Sequence, residues 1–128
     1  MLAFDVHGCT DITGFGLIGH AREMALASKV TLEIDPRSVR FLPGALDYAR
    51  QGAIPGGLKK NRTFASPCVR ESPSGPSENE DLLYDPQTSG GLLIALPEGD
   101  AAVMERQFPA AYRVGRVVGR ADKQIHLL

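Results

Sequence analysis

The chain of 128 residues is long enough for one domain, and 43% of its residues are hydrophobic, an ordinary share for a globular core. Its 14 basic and 15 acidic residues leave a net charge of -1, so no overall field draws in nucleic acid or an anionic membrane. Its two cysteines, Cys9 and Cys68, are too few for a disulfide framework and fit a reducing, cytoplasmic location.

The first half of the chain predicts a helix, a strand and a second helix. Apolar residues recur at spacings of three and four along residues 17–28, which is typical of an amphipathic helix. Residues 30–34 alternate apolar and polar side chains, as a half-buried strand does. A second helix is expected from Pro43, a favoured first helical residue, to the position before Gly52, a favoured residue just beyond a helix end.

The second half begins with an expected loop over residues 56–62, which Gly56 and Gly57 open and which carries several cationic side chains. The segment over residues 71–79 is rich in proline, glycine and serine, so we expect it to be the least ordered part. Ser77 and Glu80 predict a capping box that opens a short helix to Leu83.

Residues 92–96 are apolar at every position, which predicts a central strand covered on both faces. This run is far shorter than the ~20 residues that span a bilayer, and no signal peptide is visible, so we expect a soluble protein. A helix over residues 97–108 and strands over 112–118 and 124–127 complete the chain. The order predicts a single domain over residues 1–128 with an α+β fold (α/β sandwich), a mixed β-sheet with packed helices.

One dense segment carries the chemistry: residues 9–20 read CTDITGFGLIGH. Asp11 and Thr13 come just before the first predicted helix, where short oxygen-bearing side chains cap free N–H groups. Gly14 and Gly16 permit positive φ and let a ligand approach the backbone. Two interpretations follow, a merely capped turn or a carboxylate that holds Mg²⁺ beside amides that face a phosphate. The segment matches neither a P-loop nor a dinucleotide-binding fingerprint.

Residues 9–20 resemble the segment that opens the second domain of selenophosphate synthetases (selenide, water dikinases). Residues 85–91, which read DPQTSGG, are similar to the second hallmark of that family, and a weaker match covers residues 52–57 and Asn61. Segments like the first also occur in aminoimidazole ribonucleotide synthetase and thiamine monophosphate kinase. The second segment is what points to the selenium branch.

The resemblance implies the carboxy-terminal half of a two-domain enzyme of the aminoimidazole ribonucleotide synthetase-like superfamily. That enzyme makes selenophosphate from selenide, ATP and water, releases AMP and phosphate, and supplies selenocysteine biosynthesis. Its homodimers hold ATP and Mg²⁺ mainly in the amino-terminal domain, which carries the reactive Cys or selenocysteine and is absent here. The implied partners are that domain, a second copy, selenide and ATP, with no nucleic acid and no membrane.

Position in the motif makes Asp11 the implied Mg²⁺ ligand, and no residue of this chain is implied to be catalytic. The residues expected near phosphates are Thr10, Thr13, Gly14, Gly16 and Asn61. The second segment contributes residues whose role the resemblance does not specify: Asp85, Gln87, Thr88, Ser89, Gly90 and Gly91.

Other interpretations stay open at this point. The chain by itself is expected to be inactive, and a non-catalytic domain that binds a partner or itself is the alternative, as is the corresponding domain of aminoimidazole ribonucleotide synthetase. His20 fits a structural role better than a catalytic one. The roles of Lys59 and Lys60, solvated or close to phosphates, are left undecided. Asp85 either caps a turn at Pro86 or belongs to the active site.

Overall fold

The computed structural model describes residues 3–75, 77 and 79–128. Its helices and strands are β1 (Gly8–Asp11), α1 (Gly16–Ser28), β2 (Val30–Ile34), α2 (Ala45–Arg50), α3 (Gly56–Ala65), β3 (Val69–Arg70), β4 (Leu92–Ala95), α4 (Glu98–Gln107), β5 (Gly115–Gly119) and β6 (Ile125–Leu127). Short 3-10 turns cover Pro36–Ser38, Ser66–Cys68 and Asp81–Tyr84.

The strands form one mixed sheet and one separate ribbon. The four-stranded sheet has the order β3-β6-β2-β5, in which β5 is antiparallel to β2 whereas β6 is parallel to both β2 and β3. β1 and β4 pair antiparallel as a two-stranded ribbon, from Gly8 opposite Ala95 to Asp11 opposite Leu92. The predicted α+β fold with a mixed sheet and packed helices is confirmed.

The hydrophobic core lies where α1 and α3 meet the four-stranded sheet. Its fully buried members come from both helices, from β2 and β6, and from the turn that ends at Tyr84: Ile18, Ala21, Ala25, Leu32, Ile34, Leu58, Ala65, Leu83, Tyr84, Ile125 and Leu127. Burial of each large aliphatic side chain contributes about 1.5–3 kcal/mol relative to exposure. This packing fixes the direction in which α1 leaves the segment over residues 9–16.

The last strand of the chain, β6, lies in the middle of the sheet. All three of its residues are buried, including His126. The His126 Nδ1 accepts a hydrogen bond from the Arg70 guanidinium at 2.9 Å, and its Nε2 lies 3.0 Å from an Asp122 carboxylate oxygen. Because a guanidinium only donates, Nδ1 is the acceptor in the first contact, and both ring nitrogens have a partner.

Most predicted elements are confirmed with small shifts of their ends. The first helix and the first predicted strand are α1 and β2, and the helix predicted over residues 97–108 is α4. The helix predicted from Pro43 is the shorter α2, and the two closing strands are β5 and β6. The strand β1 was not predicted, because its four residues show no alternation of apolar and polar side chains.

The loop predicted over residues 56–62 is wrong, since this stretch is most of helix α3. Leu58, Asn61 and Ala65 form its buried face at spacings of three and four. The two glycines fall in its first turn, directly after Pro55, where their backbone entropy cost is smaller than in a helix interior. An asparagine within the buried stripe concealed the helical period.

The central position predicted for β4 is also wrong. β4 pairs only with β1, and the side chain of its first residue, Leu92, is 57% exposed. Among the described residues this ribbon has no third strand, so the continuous apolar run does not reflect burial on both faces. Only Leu92 is exposed: the other three residues of β4 are half-buried, and Leu93 packs against the core.

The capping box predicted at Ser77 and Glu80 is not formed. The Ser77 hydroxyl has no hydrogen-bond partner among the described residues, and one Glu80 carboxylate oxygen accepts from the Arg62 guanidinium at 3.0 Å. Leu83 lies in a 3-10 turn instead of an α-helix. The prediction that residues 71–79 are the least ordered falls partly on Pro76 and Glu78, which lie outside the described residues.

None of the helices in the described ranges combines the length and the apolar character that crossing a membrane requires.

The close contact between β2 and β5 generates the first testable prediction. A side chain added at Gly115 would overlap the carbonyl group of Glu33 on β2, whereas Gly119 at the other end of β5 has open space. We expect Gly115→Ala to lower the free energy of unfolding by about 2 kcal/mol or more, because backbone cannot move aside as a flexible side chain can. Gly119→Ala should stay within about 0.5 kcal/mol of the parent in urea unfolding. Equal effects of both substitutions would show that the sheet does not pack as described.

Candidate functional site

The two segments singled out in the sequence are joined through their backbones. The Ile12 N–H donates to the Gly91 carbonyl at 2.8 Å, and the Gly90 N–H donates back to the Ile12 carbonyl at 2.8 Å. The Gln87 N–H donates to the Thr13 carbonyl at 3.0 Å. These bonds continue the β1–β4 ladder beyond its last strand pair, so the segments over residues 9–20 and 85–91 form one structural unit.

Two glycines let these segments come this close. Gly16 has a φ of +70°, and a side chain there would lie 2.8 Å from the Tyr84 carbonyl carbon. A side chain at Gly90 would lie 2.9 Å from the Ile12 carbonyl oxygen. Real Cβ atoms do not approach backbone this closely, so glycine is required at both places.

Asn61 on α3 binds the first segment and Tyr84, the residue just before the second segment, with one side chain. Its amide nitrogen donates to the Gly14 carbonyl at 2.9 Å and to the Tyr84 carbonyl at 3.0 Å. Because both partners are carbonyl oxygens, the amide nitrogen must face them and both of its hydrogens are used. The side chain is 9% exposed, so these bonds are made largely away from water. Its predicted proximity to a phosphate stays a prediction.

The glycine turn, defined as residues 12–16, is held so that its carbonyls face inward. The Thr13 carbonyl accepts from both Gln87 and Gly16, the latter at 3.0 Å. The Thr13 hydroxyl lies 3.0 Å from His20 Nε2, one helical turn into α1. The N–H groups of Thr13, Gly14 and Phe15 have no acceptor among the described residues. Unpaired backbone donors in successive residues are the groups with which such turns bind anions.

Asp11 ends β1 and its side chain is exposed. The carboxylate forms no ion pair and accepts no hydrogen bond from the described residues, while Thr10 donates its hydroxyl to the Asp11 carbonyl at 3.3 Å. The interpretation of Asp11 or Thr13 as a helix cap is wrong, because the N-cap of α1 is Phe15 and no side chain caps it. The Asp11 carboxylate is therefore free for another ligand.

Asp85 and Gln87 form a second polar pair at the same junction. The Gln87 side-chain amide donates to an Asp85 carboxylate oxygen at 2.5 Å. Burial raises the pKa of Asp85, and the Gln87 hydrogen bond opposes this shift. The carboxylate accepts no N–H from the described backbone, so it does not cap the turn at Pro86. Thr88 and Ser89 are exposed beyond it.

The donor set fits Mg²⁺ only in part. An exposed carboxylate is a hard oxygen ligand of the kind that Mg²⁺ prefers, and Asp11 supplies one. Within the described ranges no three His, Cys, Asp or Glu side chains converge on one point. Cys9 is exposed on β1, and Cys68 accepts a hydrogen bond from Arg22 at 3.2 Å. Asp11 can therefore contribute one ligand to a site that needs more.

Three contributors to the junction were not among the predicted site residues. The Tyr84 backbone carbonyl is one anchor of Asn61, and burial raises the pKa of the Tyr84 phenol to about 12, so the ring stays neutral. A side chain at Gly57 would lie 3.0 Å from Pro86, which brings α3 against the second segment. Phe64 of α3 stacks on the exposed Phe15 ring with centroids 5.8 Å apart. Only the buried stripe of α3, with its asparagine, could have indicated these contacts.

Lys59 and Lys60 lie exposed on α3. The hydrogen bonds described above bring eight of the predicted site residues into one junction, with Asp11 beside it at the end of β1: Thr13, Gly14, Gly16, Asn61, Asp85, Gln87, Gly90 and Gly91.

This α+β fold is consistent with the domain family that the sequence matches. Residues 1–127 match the family described as AIR synthase related protein, C-terminal domain. The chain belongs to this family.

The relatives that the chain matches carry a more specific name. It is 44% identical over 128 residues to the "Selenide, water dikinase" of Clostridium botulinum (strain Eklund 17B / Type B), which covers 97% of this chain and 37% of that protein. The protein of the same name from Clostridioides difficile (strain 630) is 42% identical over 130 residues, covering 98% of this chain and 37% of its own length. The protein of that name from Porphyromonas gingivalis is 50% identical over 96 residues. The resemblance to the selenophosphate synthetases is confirmed, and the matched region spans 37% of the length of the two clostridial relatives and 27% of the third.

The raised pKa of Asp85 generates a prediction for stability against pH. The ordinary value is 3.8, and a raised value in the folded state means that the protonated form favours folding. That contribution is present at low pH and is lost as pH rises through the folded-state pKa, above which the ionised carboxylate opposes folding. We therefore expect Asp85→Asn, which can still accept from Gln87, to raise the melting temperature at pH 7. The gain should shrink as pH falls toward 3.8.

The matched control for Asp85→Asn is Asp47→Asn, an exposed carboxylate whose ion pair with Arg50 contributes little. It should leave the melting temperature at pH 7 nearly unchanged. A lower melting temperature of Asp85→Asn at pH 7 would contradict the conclusion that burial of the Asp85 carboxylate opposes folding.

Proposed function

We propose that this chain is the carboxy-terminal domain of a selenophosphate synthetase, which makes selenophosphate from selenide, ATP and water and releases AMP and phosphate. The observation that carries the proposal is the backbone junction of the two signature segments at Ile12, Gly90 and Gly91. The second of these segments is the one that distinguishes the selenium branch, and the relatives named above carry that enzyme's name.

In this proposal Asp11 supplies one carboxylate ligand to Mg²⁺, and the remaining ligands come from the amino-terminal domain of the full-length enzyme. The support is its exposed carboxylate, which the described part of the chain leaves without a partner. When bound, Mg²⁺ neutralises charge that develops on phosphoryl oxygens during transfer. In this proposal Asp11 transfers no proton, and its role is to hold the metal ion in place.

The glycine turn is the proposed neighbour of the phosphates. The N–H groups of Thr13, Gly14 and Phe15, which have no acceptor among the described residues, are suited to phosphate oxygens, because N–H groups at a helix start carry partial positive charge. Gly14 is exposed and its Cβ position is open, so a ligand meets no side chain there. Thr10 and Gly16 frame the turn on either side.

A face of the β1–β4 ribbon is proposed to be covered in the complete enzyme. Asp11 and Leu92 are paired across the ribbon, so both side chains project from the same face, and both are exposed. An exposed large apolar residue beside a candidate ligand suits an interface that closes over the site and excludes water. The amino-terminal domain is the proposed cover, in a cytoplasmic homodimer with selenide and ATP as substrates.

The first test is Asp11→Asn in a full-length protein that carries this chain as its carboxy-terminal domain. Asparagine keeps the shape but removes the charge that a hard cation requires. We expect selenophosphate formation to fall ~10²-fold or more, as when one contact to developing charge is lost. The melting temperature should stay near that of the parent, since the carboxylate makes no contact with the described residues.

Asp47→Asn, which changes an exposed carboxylate on α2 that pairs with Arg50 and not with the glycine turn, is the matched control and should retain parent activity. Activity unchanged in Asp11→Asn would rule out the metal role. Activity lost only in proportion to stability would rule it out equally.

A second test addresses the chain alone. Without the glycine-rich ATP loop and the nucleophile of the implied amino-terminal domain, we expect no selenide-dependent release of AMP above background. The same assay with the full-length protein is the positive control. Turnover by the 128-residue chain would contradict the proposed division of labour and would place a catalytic group among its own residues.

A further inference from the structure

We infer that Asn61 is a positioning residue, whose one amide fixes the glycine turn relative to Tyr84, the residue that leads into the segment over residues 85–91. Only the expected effect on activity rests on the proposed function. The geometric part of the inference stands on the two hydrogen bonds and on the burial of the side chain.

Packing alone does not explain an asparagine at this place. Leu58 and Ala65 occupy the same buried face of α3, and an apolar residue between them would fill the stripe without a polar group to satisfy. Asparagine is also among the weaker helix formers. What it adds are two donors, and both are directed at carbonyls outside its own helix, at 2.9 and 3.0 Å.

The two acceptors lie next to the residues of interest. Tyr84 immediately precedes Asp85, and Gly14 lies in the turn that follows Asp11 and Ile12. Gly16 packs against the Tyr84 and Asp85 backbone without space for a methyl group, so the contact itself is tight. Removal of the amide would leave two backbone carbonyls unpaired in a largely buried place, which favours separation of the segments and entry of water.

The first measurement is amide hydrogen exchange on the 128-residue chain with Asn61→Leu, which keeps the size and removes the donors. We expect the N–H groups of Gln87 and Gly90, which bond across the junction, to exchange about tenfold faster or more. The amides that pair β2 with β5 should keep the parent rate, because that sheet lies outside the contact.

Thr63→Val is the matched control on the same helix. Its hydroxyl donates to the Lys59 carbonyl within α3 and touches neither segment, so exchange at the junction should be unchanged. If the leucine variant does not fold, Asn61→Gln keeps the amide on a longer stem. It should accelerate the same junction amides by a smaller factor while the β2–β5 amides hold.

Exchange that stays at the parent rate in Asn61→Leu, or that rises uniformly through both junction and sheet, would overturn the positioning role. In the second case Asn61 would be a general stability residue. Only faster exchange that is confined to the junction amides supports the inference.

The second measurement is steady-state kinetics of a full-length protein with Asn61→Leu. Misplacement of groups that hold the reacting phosphates lowers kcat, whereas ATP binding, which the proposal assigns mainly to the other domain, is preserved. We expect kcat to fall about tenfold or more, with the KM for ATP within about twofold and with partial recovery in Asn61→Gln. A tenfold rise in the KM for ATP with an unchanged kcat would overturn the positioning role.

The outcomes separate the inference from the proposed function. Local acceleration of exchange in Asn61→Leu together with full activity in Asp11→Asn would retain the positioning role and reject the metal role. Unchanged exchange in Asn61→Leu together with loss of activity in Asp11→Asn would do the reverse.

Discussion

Ile12 both donates and accepts a backbone hydrogen bond across the junction: its N–H donates to the Gly91 carbonyl, and its carbonyl accepts from the Gly90 N–H. These two bonds help to hold together segments that are far apart in the sequence, so that both can contact one ligand. The bonds in turn require that Gly16 and Gly90 carry no side chain, since backbone occupies the space where a Cβ would stand. Tight backbone contact, more than any side-chain pair, is thus the constraint that the candidate site depends on.

The four-stranded sheet contributes to the site indirectly, by fixing two helices. Ile18 and Ala21 bury one face of α1, which sets the direction in which the glycine turn opens. Leu58 and Ala65 bury one face of α3, and Asn61 on the same face reaches the Gly14 carbonyl of that turn. A rigid core of ordinary aliphatic packing thereby places polar groups whose own hydrogen bonds are few.

Sequence patterns predicted the fold class and most helices, because α1 and β2 have clear periods of 3.6 and two. They failed where a local pattern competed with tertiary structure. The polar residues of α3 concealed a helix that is stabilised by contacts with distant segments. The apolar run of β4 implied burial on both faces, but within the described residues β4 pairs with β1 alone. The motif residues were recognisable from the sequence. The contact between the motifs was not, since no local signal specifies which carbonyls Asn61 reaches.

The position of β6 in the sheet affects how the domain folds during its synthesis. β3 and β2 do not touch each other, and each pairs with β6, which comes after both in the chain. During synthesis, α1, β2 and α3 leave the ribosome well before residues 125–127 can fill the gap between the strands. Until then the edges of β2 and β3 that face this gap stay unpaired, and the parallel pairings must close over a long stretch of chain. Such an order gives slow folding with an aggregation-prone interval, in which holding chaperones would have their greatest effect.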